Sequence, residues 1–293
     1  MRFKGLYKDK SSFNKIIIFL SLVFISVIIH FLIGTGVIYL FTDNGLSLIQ
    51  DQDLSNQESV DYLKLMQLFS GIGLFITPTL LYSYLTEFDF RFTKISRQDI
   101  ILVIAIMMLI TPFIALLLEW NMMIPLPEWL LHFDVNSEAI VFAFLQMSNY
   151  WDLFFTLLVV AVIPGIGEEL LFRGYLQQKI GVWTGNIHSS IIITAFLFSA
   201  IHFHFQGMFP RFVLGMLLGY LFYWSNSLWL PILAHFVNNA QAVIFSYPSF
   251  KVDSGAYSIM SNTKVDPMFA LFSFLSVILL LYLLYQNTRI KKG

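Results

Sequence analysis

Long apolar runs, separated by short clusters of polar and turn-forming residues, occupy most of this chain. A helix needs about 20 apolar residues to cross the hydrocarbon core of a bilayer. On that measure the runs near 15–41, 62–86, 99–118, 152–178, 187–205, 209–225, 228–247 and 267–286 predict about eight transmembrane helices. The breaks are polar stretches such as "TEFDFRFTKISRQD", "PLPEWLLHFDVNSE", "KIGVWTGN" and "FHFQGMFP". The segment "SEAIVFAFLQMSNYW" is short and wet for a span, and reads as an interfacial helix ahead of the fourth one. The first apolar run continues to Phe41, far beyond the core of a signal peptide, and reads as a retained membrane helix.

Charge then orients these helices. Cytoplasmic loops concentrate Lys and Arg, and with the N-terminus inside, 13 of the 17 basic residues fall on or toward the inner face. The intervening loops at 42–61 and 119–150 contain no Lys or Arg. An even number of spans returns "RIKKG" to the same side as the basic N-terminus. The expected fold is therefore an all-α polytopic bundle with both ends cytoplasmic. Composition agrees: 57% of residues are hydrophobic, 12% are charged and the mean hydropathy is +0.74, against roughly 25% charged residues in soluble domains. The net charge of −1 gives no reason to expect a nucleic-acid partner. Cysteine is absent, so disulfides and thiolate metal sites are excluded and chemistry must run on Glu, Asp, His, Asn, Ser or Tyr.

Polarity is uneven along the spans. The first three and the last are nearly bare of strongly polar groups, though His30 sits in the first. The fourth to seventh carry Glu168, Glu169, Arg173, His188, His202, His204, His235, Asn238, Asn239 and Gln241. This divides a single membrane domain, 1–293, into peripheral helices at 1–150, a core at 151–247, and an outer loop with the last helix at 248–293. Ionisable groups inside a membrane are costly and mark functional sites by default.

In "VIPGIGEELLFRGYL", Glu169 and Arg173 share a helix face as an i, i+4 pair, and Pro164 disturbs the turn just before them. A salt-bridge cluster would account for this pair but leaves Glu168 without a role. His202 lies deep in "SSIIITAFLFSAIHFHF", while His204 and His188 read as interfacial and packing residues. His235 and Asn239 are one helical turn apart, and could bond neighbouring helices or aim two donors at one point. Gly215 and Gly219, in "GMLLG", read as a helix-packing pair. A carboxylate that polarises water, a histidine that holds it and two oxyanion donors are the parts amide hydrolysis requires. At about 1.5 Å of rise per residue, the candidates start at different depths and meet only if the helices tilt.

Three ordered motifs carry a resemblance. "EELLFR" (Glu168–Arg173) fits EExxxR, "FSAIH" (Phe198–His202) fits FxxxH, and "HFVNN" (His235–Asn239) fits a His followed four residues later by Asn. Together they resemble the CAAX prenyl protease and bacteriocin-processing (CPBP, or Abi) family over about 160–245. The resemblance implies a helical intramembrane endopeptidase that acts on a membrane-associated protein or peptide, and a bacterial plasma-membrane location. Glu168 would activate water with His202, His235 and Asn239 would stabilise the oxyanion, and Glu169 and Arg173 would support the site. Cofactor use stays open between hydrolysis by Glu and His alone, which is favoured, and zinc held by Glu168, His202 and His235. The competing readings are an ion- or proton-coupled transporter and a non-catalytic scaffold or immunity protein of the same fold.

Overall fold

A computed structural model describes residues 3–42, 47, 53–250 and 265–290. Lys291, Lys292 and most of the expected outer loop at 248–266 lie outside the described residues, as do residues 43–46 and 48–52 of the loop at 42–61. The described residues are mostly helical, with no strand among them. Among the described residues nine helices can be delimited, in order: α1 Ser12–Phe41, α2 Gln57–Thr86, α3 Arg97–Met122, α4 Glu128–Phe144, α5 Tyr150–Thr184, α6 Ile187–Ala200, α7 Met208–Ser225, α8 Trp229–Ser246 and α9 Pro267–Ile290.

Five of these, α1, α2, α3, α5 and α9, are long and apolar enough to cross a membrane. Together with dozens of exposed Phe, Leu and Ile side chains, they make this an integral membrane protein. The helices α6, α7 and α8 are shorter, at 14, 18 and 18 residues. At about 1.5 Å per residue they reach roughly 21–27 Å, just under the ~30 Å core.

Local signals set the helix ends. Ser96 and Asp99 form a capping box at the start of α3, and Asn149 and Asp152 form another at the start of α5, each satisfying amides that lack an intrahelical partner. Gly185, at φ +63°, ends α5, and Asn186 then accepts the amides of His188 and Ser189 to start α6. Thus α5 continues six residues beyond the expected limit of 178. The polar stretch "PLPEWLLHFDVNSE" breaks the chain only at 125–127, between α3 and α4, and its remainder is helical. Helix α4 starts just after Pro127, with Glu128 in its first turn, and its polar Asp134 faces inward at 2% exposure.

Inside, α3 packs Val103, Ile106, Met107 and Ile110 against Leu217, Leu218 and Leu221 of α7, Leu230 and Ala234 of α8, and Val277 and Leu284 of α9. A second cluster joins Phe19 of α1 and Tyr82 of α2 to Leu170 and Tyr175 of α5 and Ile232 of α8. The chain's start is tied down as well, with the amides of Gly5 and Tyr7 donating to the carbonyls of Tyr84 and Leu85 at the end of α2.

Candidate active site

Helix α5 is wound irregularly where it carries the charges. Leu158–Val162 and Leu170–Gln177 are π-helical, a winding often found at functional sites. Pro164 has no amide to donate to the Val160 carbonyl four residues back. Asn239 of α8 supplies that bond through Nδ2 at 2.9 Å, and its Oδ1 accepts from Asn238 at 3.0 Å.

Past Pro164, Glu169 and Arg173 are both fully buried and paired at 2.6 Å. The guanidinium also donates to the Gly215 carbonyl at 2.9 Å and lies 4.5 Å from the Phe198 ring centroid. One turn on, Gln177 donates to the Gly219 carbonyl at 3.1 Å. Arg173 and Gln177 thus meet Gly215 and Gly219 with matching spacing. A Cβ at Gly215 would lie 3.1 Å from Ala195, and one at Gly219 2.8 Å from Ile191. The two glycines bring α7 against α6 and leave their carbonyls open to the side chains of α5.

Three side chains converge above this pair. Glu168 Oε2 lies 3.9 Å from His202 Nε2 and 4.0 Å from His235 Nε2. It is buried and makes no hydrogen bond to a described residue. Each imidazole is fixed by its other nitrogen: His202 Nδ1 contacts the Phe198 carbonyl at 2.8 Å, and His235 Nδ1 contacts Glu169 Oε1 at 2.8 Å. A carbonyl only accepts, so His202 carries its proton on Nδ1 and, when neutral, presents a lone pair from Nε2. His235 donates its Nδ1 proton to the Glu169 carboxylate, which fixes the orientation of the ring.

The structure therefore brings Glu168, Glu169, Arg173, His202 and His235 into one connected cluster. Asn239 is committed to Val160 and Asn238, and among the described residues it makes no hydrogen bond to the carboxylates or imidazoles. Sequence reasoning missed Arg211 on α7, whose charge acts on both Glu168 and Asp134. A lone arginine in an apolar run was the available signal.

A zinc ion held by Glu168, His202 and His235 would need these atoms closer together than they stand. Zinc–ligand bonds of about 2.0–2.2 Å in tetrahedral geometry would hold the ligand atoms roughly 3.4 Å apart. Hydrogen bonds of about 2.8–3.0 Å let one water bridge the observed 3.9–4.0 Å gaps. Among the described residues no three His, Asp or Glu side chains are grouped to hold a metal.

Residues 149–241 match the model of a family described as type II CAAX prenyl endopeptidase Rce1-like. This segment is similar to that family. It begins at Asn149, the N-cap of α5, and ends within α8, so it contains all six candidate residues. A stretch of 92 residues is 34% identical to "Uncharacterized protein YpbD" of Bacillus subtilis (strain 168), covering 30% of this chain. The chain spans 41% of that relative's length. No solved structure matches. The matched segment therefore runs from α5 into α8, and α1–α4 and α9 lie outside it.

Proposed function

We propose that this protein is an intramembrane endopeptidase of the CAAX type, hydrolysing a peptide bond of a membrane-associated protein or peptide. The observation that carries the reading is the convergence of two anchored imidazoles on one unbonded oxygen of Glu168. Water held between Glu168 and His202 gives one proton to the carboxylate, while the O–H it keeps donates a hydrogen bond to Nε2 of His202. The oxygen attacks the scissile carbonyl, and the developing oxyanion is met by Nε2–H of protonated His235 and the remaining N–H of Asn239. Glu168 then returns its proton to the leaving nitrogen. Glu169 orients His235 through its Nδ1, and Arg173 holds that carboxylate in place. In this reading no step requires a metal.

We place the enzyme in the bacterial plasma membrane with eight spans, α6–α8 completing the bundle, and both ends cytoplasmic. Because the chain has no cysteine, single cysteines introduced at exposed loop positions report sidedness without background. Residues 4 and 94 should label from one side and residue 128 from the other.

The functional test is cleavage of a panel of membrane-tethered peptides by purified protein in proteoliposomes, wild type beside Glu168→Gln. Cleavage that disappears in the variant supports the reading. Ion or proton flux that depends on Glu168, without any cleavage, would overturn it in favour of a transporter.

A further inference from the structure

The loop between α6 and α7 carries His202, and two of the side chains that hold this loop, Asp134 and Asn121, lie outside the matched segment. Asp134 of α4 accepts the amides of Phe205 and Gln206 at 2.7 and 2.8 Å, one on each carboxylate oxygen. Asn121, at the end of α3, uses both ends of its amide. Its Nδ2 donates to the Phe205 carbonyl at 3.1 Å and its Oδ1 accepts from the Phe209 amide at 2.7 Å. Both side chains are buried, Asp134 at 2% and Asn121 at 6% exposure. The Phe205 residue therefore has its N–H and C=O bound by side chains from two different helices.

The rest of the loop is equally constrained. Ser199 donates to the Met208 carbonyl at 2.6 Å and Arg211 to the His204 carbonyl at 3.3 Å. On the outer side His204 Nε2 reaches Glu138 of α4 at 3.3 Å, and Phe133 of α4 packs on Phe203 with ring centroids 6.1 Å apart. Phe203, the residue after His202, has φ +49°. A phenylalanine in that left-handed region is strained, and such a conformation persists only where its surroundings over-determine it. Among the groups that do so, Asn121 and Asp134 belong to α3 and α4.

We propose that Asp134 and Asn121 are positioning residues for His202, fixing the loop backbone so that Nε2 faces Glu168. This deepens the endopeptidase reading and rests on it. Helix α4 is then part of the active centre and not only a cover over it. A displacement of about 1 Å at a reacting group can lower a rate by about 100-fold, and the His202–Glu168 separation is set at the end of a loop only a few residues long.

The experiment pairs kinetics with amide exchange on full-length protein in nanodiscs. Asp134→Ala should lower kcat by roughly 10–100-fold with KM within about threefold, and Asp134→Asn, which keeps one acceptor, should fall between it and wild type. In a His202→Ala background the same Asp134→Ala change should add less than about a twofold loss, because coupled residues are not additive. Exchange of the peptide covering 203–207 should accelerate in Asp134→Ala and stay at the wild-type level in Glu168→Gln. An equal loss in both backgrounds would overturn the positioning role, as would unchanged exchange. If Asp134→Ala does not fold, Asn121→Ala and Asp134→Asn carry the same comparisons. Absence of cleavage by wild type would sink the endopeptidase reading, while exchange would still decide whether Asp134 holds the loop.

Discussion

Helices α1 and α5 are both apolar enough to cross a membrane, yet they are built to opposite rules. Only 11% of the most apolar window of α1 is buried, against 39% in α5. Helix α1 turns Phe13, Leu20, Phe24, Phe31 and Leu40 outward. Lipid is as apolar as these side chains, so they need no protein partner. Helix α5 turns Glu169, Arg173 and Gln177 inward at 0–1% exposure, and every one of them is bonded to α7 or α8 or to a neighbour along the helix. Glu169, Arg173 and Gln177 can be buried in α5 because α7 and α8 supply them with partners. Each partner is a specific atom: the Gly215 carbonyl for Arg173, Nδ1 of His235 for Glu169.

The sharpest way to break that contrast is at Glu168. Glu168→Gln keeps the shape but removes the base, and should lower cleavage by roughly 10²–10⁴-fold with the protein still folded, read by kcat and by thermal unfolding together. Arg173→Met comes next, on stability. It leaves Glu169 buried opposite His235 without its cation, and breaking a buried pair in this way costs about 3–5 kcal/mol; a thermal or denaturant midpoint close to wild type would contradict the account. A smaller effect is expected at Gly219→Leu, whose side chain must displace Ile191 and Gln177. Overpacking of this kind costs about 1–3 kcal/mol, and the same measurement reads it. Smallest of all, Phe24→Leu on the lipid face of α1, where the side chain is 68% exposed, should change stability by less than about 0.5 kcal/mol. If Phe24→Leu matched Arg173→Met, the two rules would not describe this molecule.

Much of this contrast was legible in the sequence, for a physical reason. A charged residue in an apolar run is costly enough to be informative alone, so Glu168, Glu169, Arg173, His202 and His235 stood out, and the structure brings them together. The i, i+4 spacing also gave the Glu169–Arg173 pair correctly. Spacing along one helix cannot show which partner faces it from another, so the link from Glu169 to His235 was not legible. Nor was the bond by which Asn239 replaces the amide that Pro164 lacks. Asp134 was hidden differently: in "LLHFDVNSE" a buried carboxylate and a loop look the same, because both are polar breaks in an apolar pattern. "GMLLG" was read as packing alone, whereas its bared carbonyls also receive Arg173 and Gln177.

The central claim is that Glu168 and His202 activate water without a metal. The measurement that tests it most directly is the rate of peptide cleavage in proteoliposomes after treatment with a strong chelator, with Glu168→Gln and His202→Ala measured alongside. The account predicts that wild type keeps its rate through chelation while both variants lose about 100-fold or more. Chelator-sensitive cleavage that returns on adding zinc would contradict it, and would place an ion between Glu168 and the two histidines.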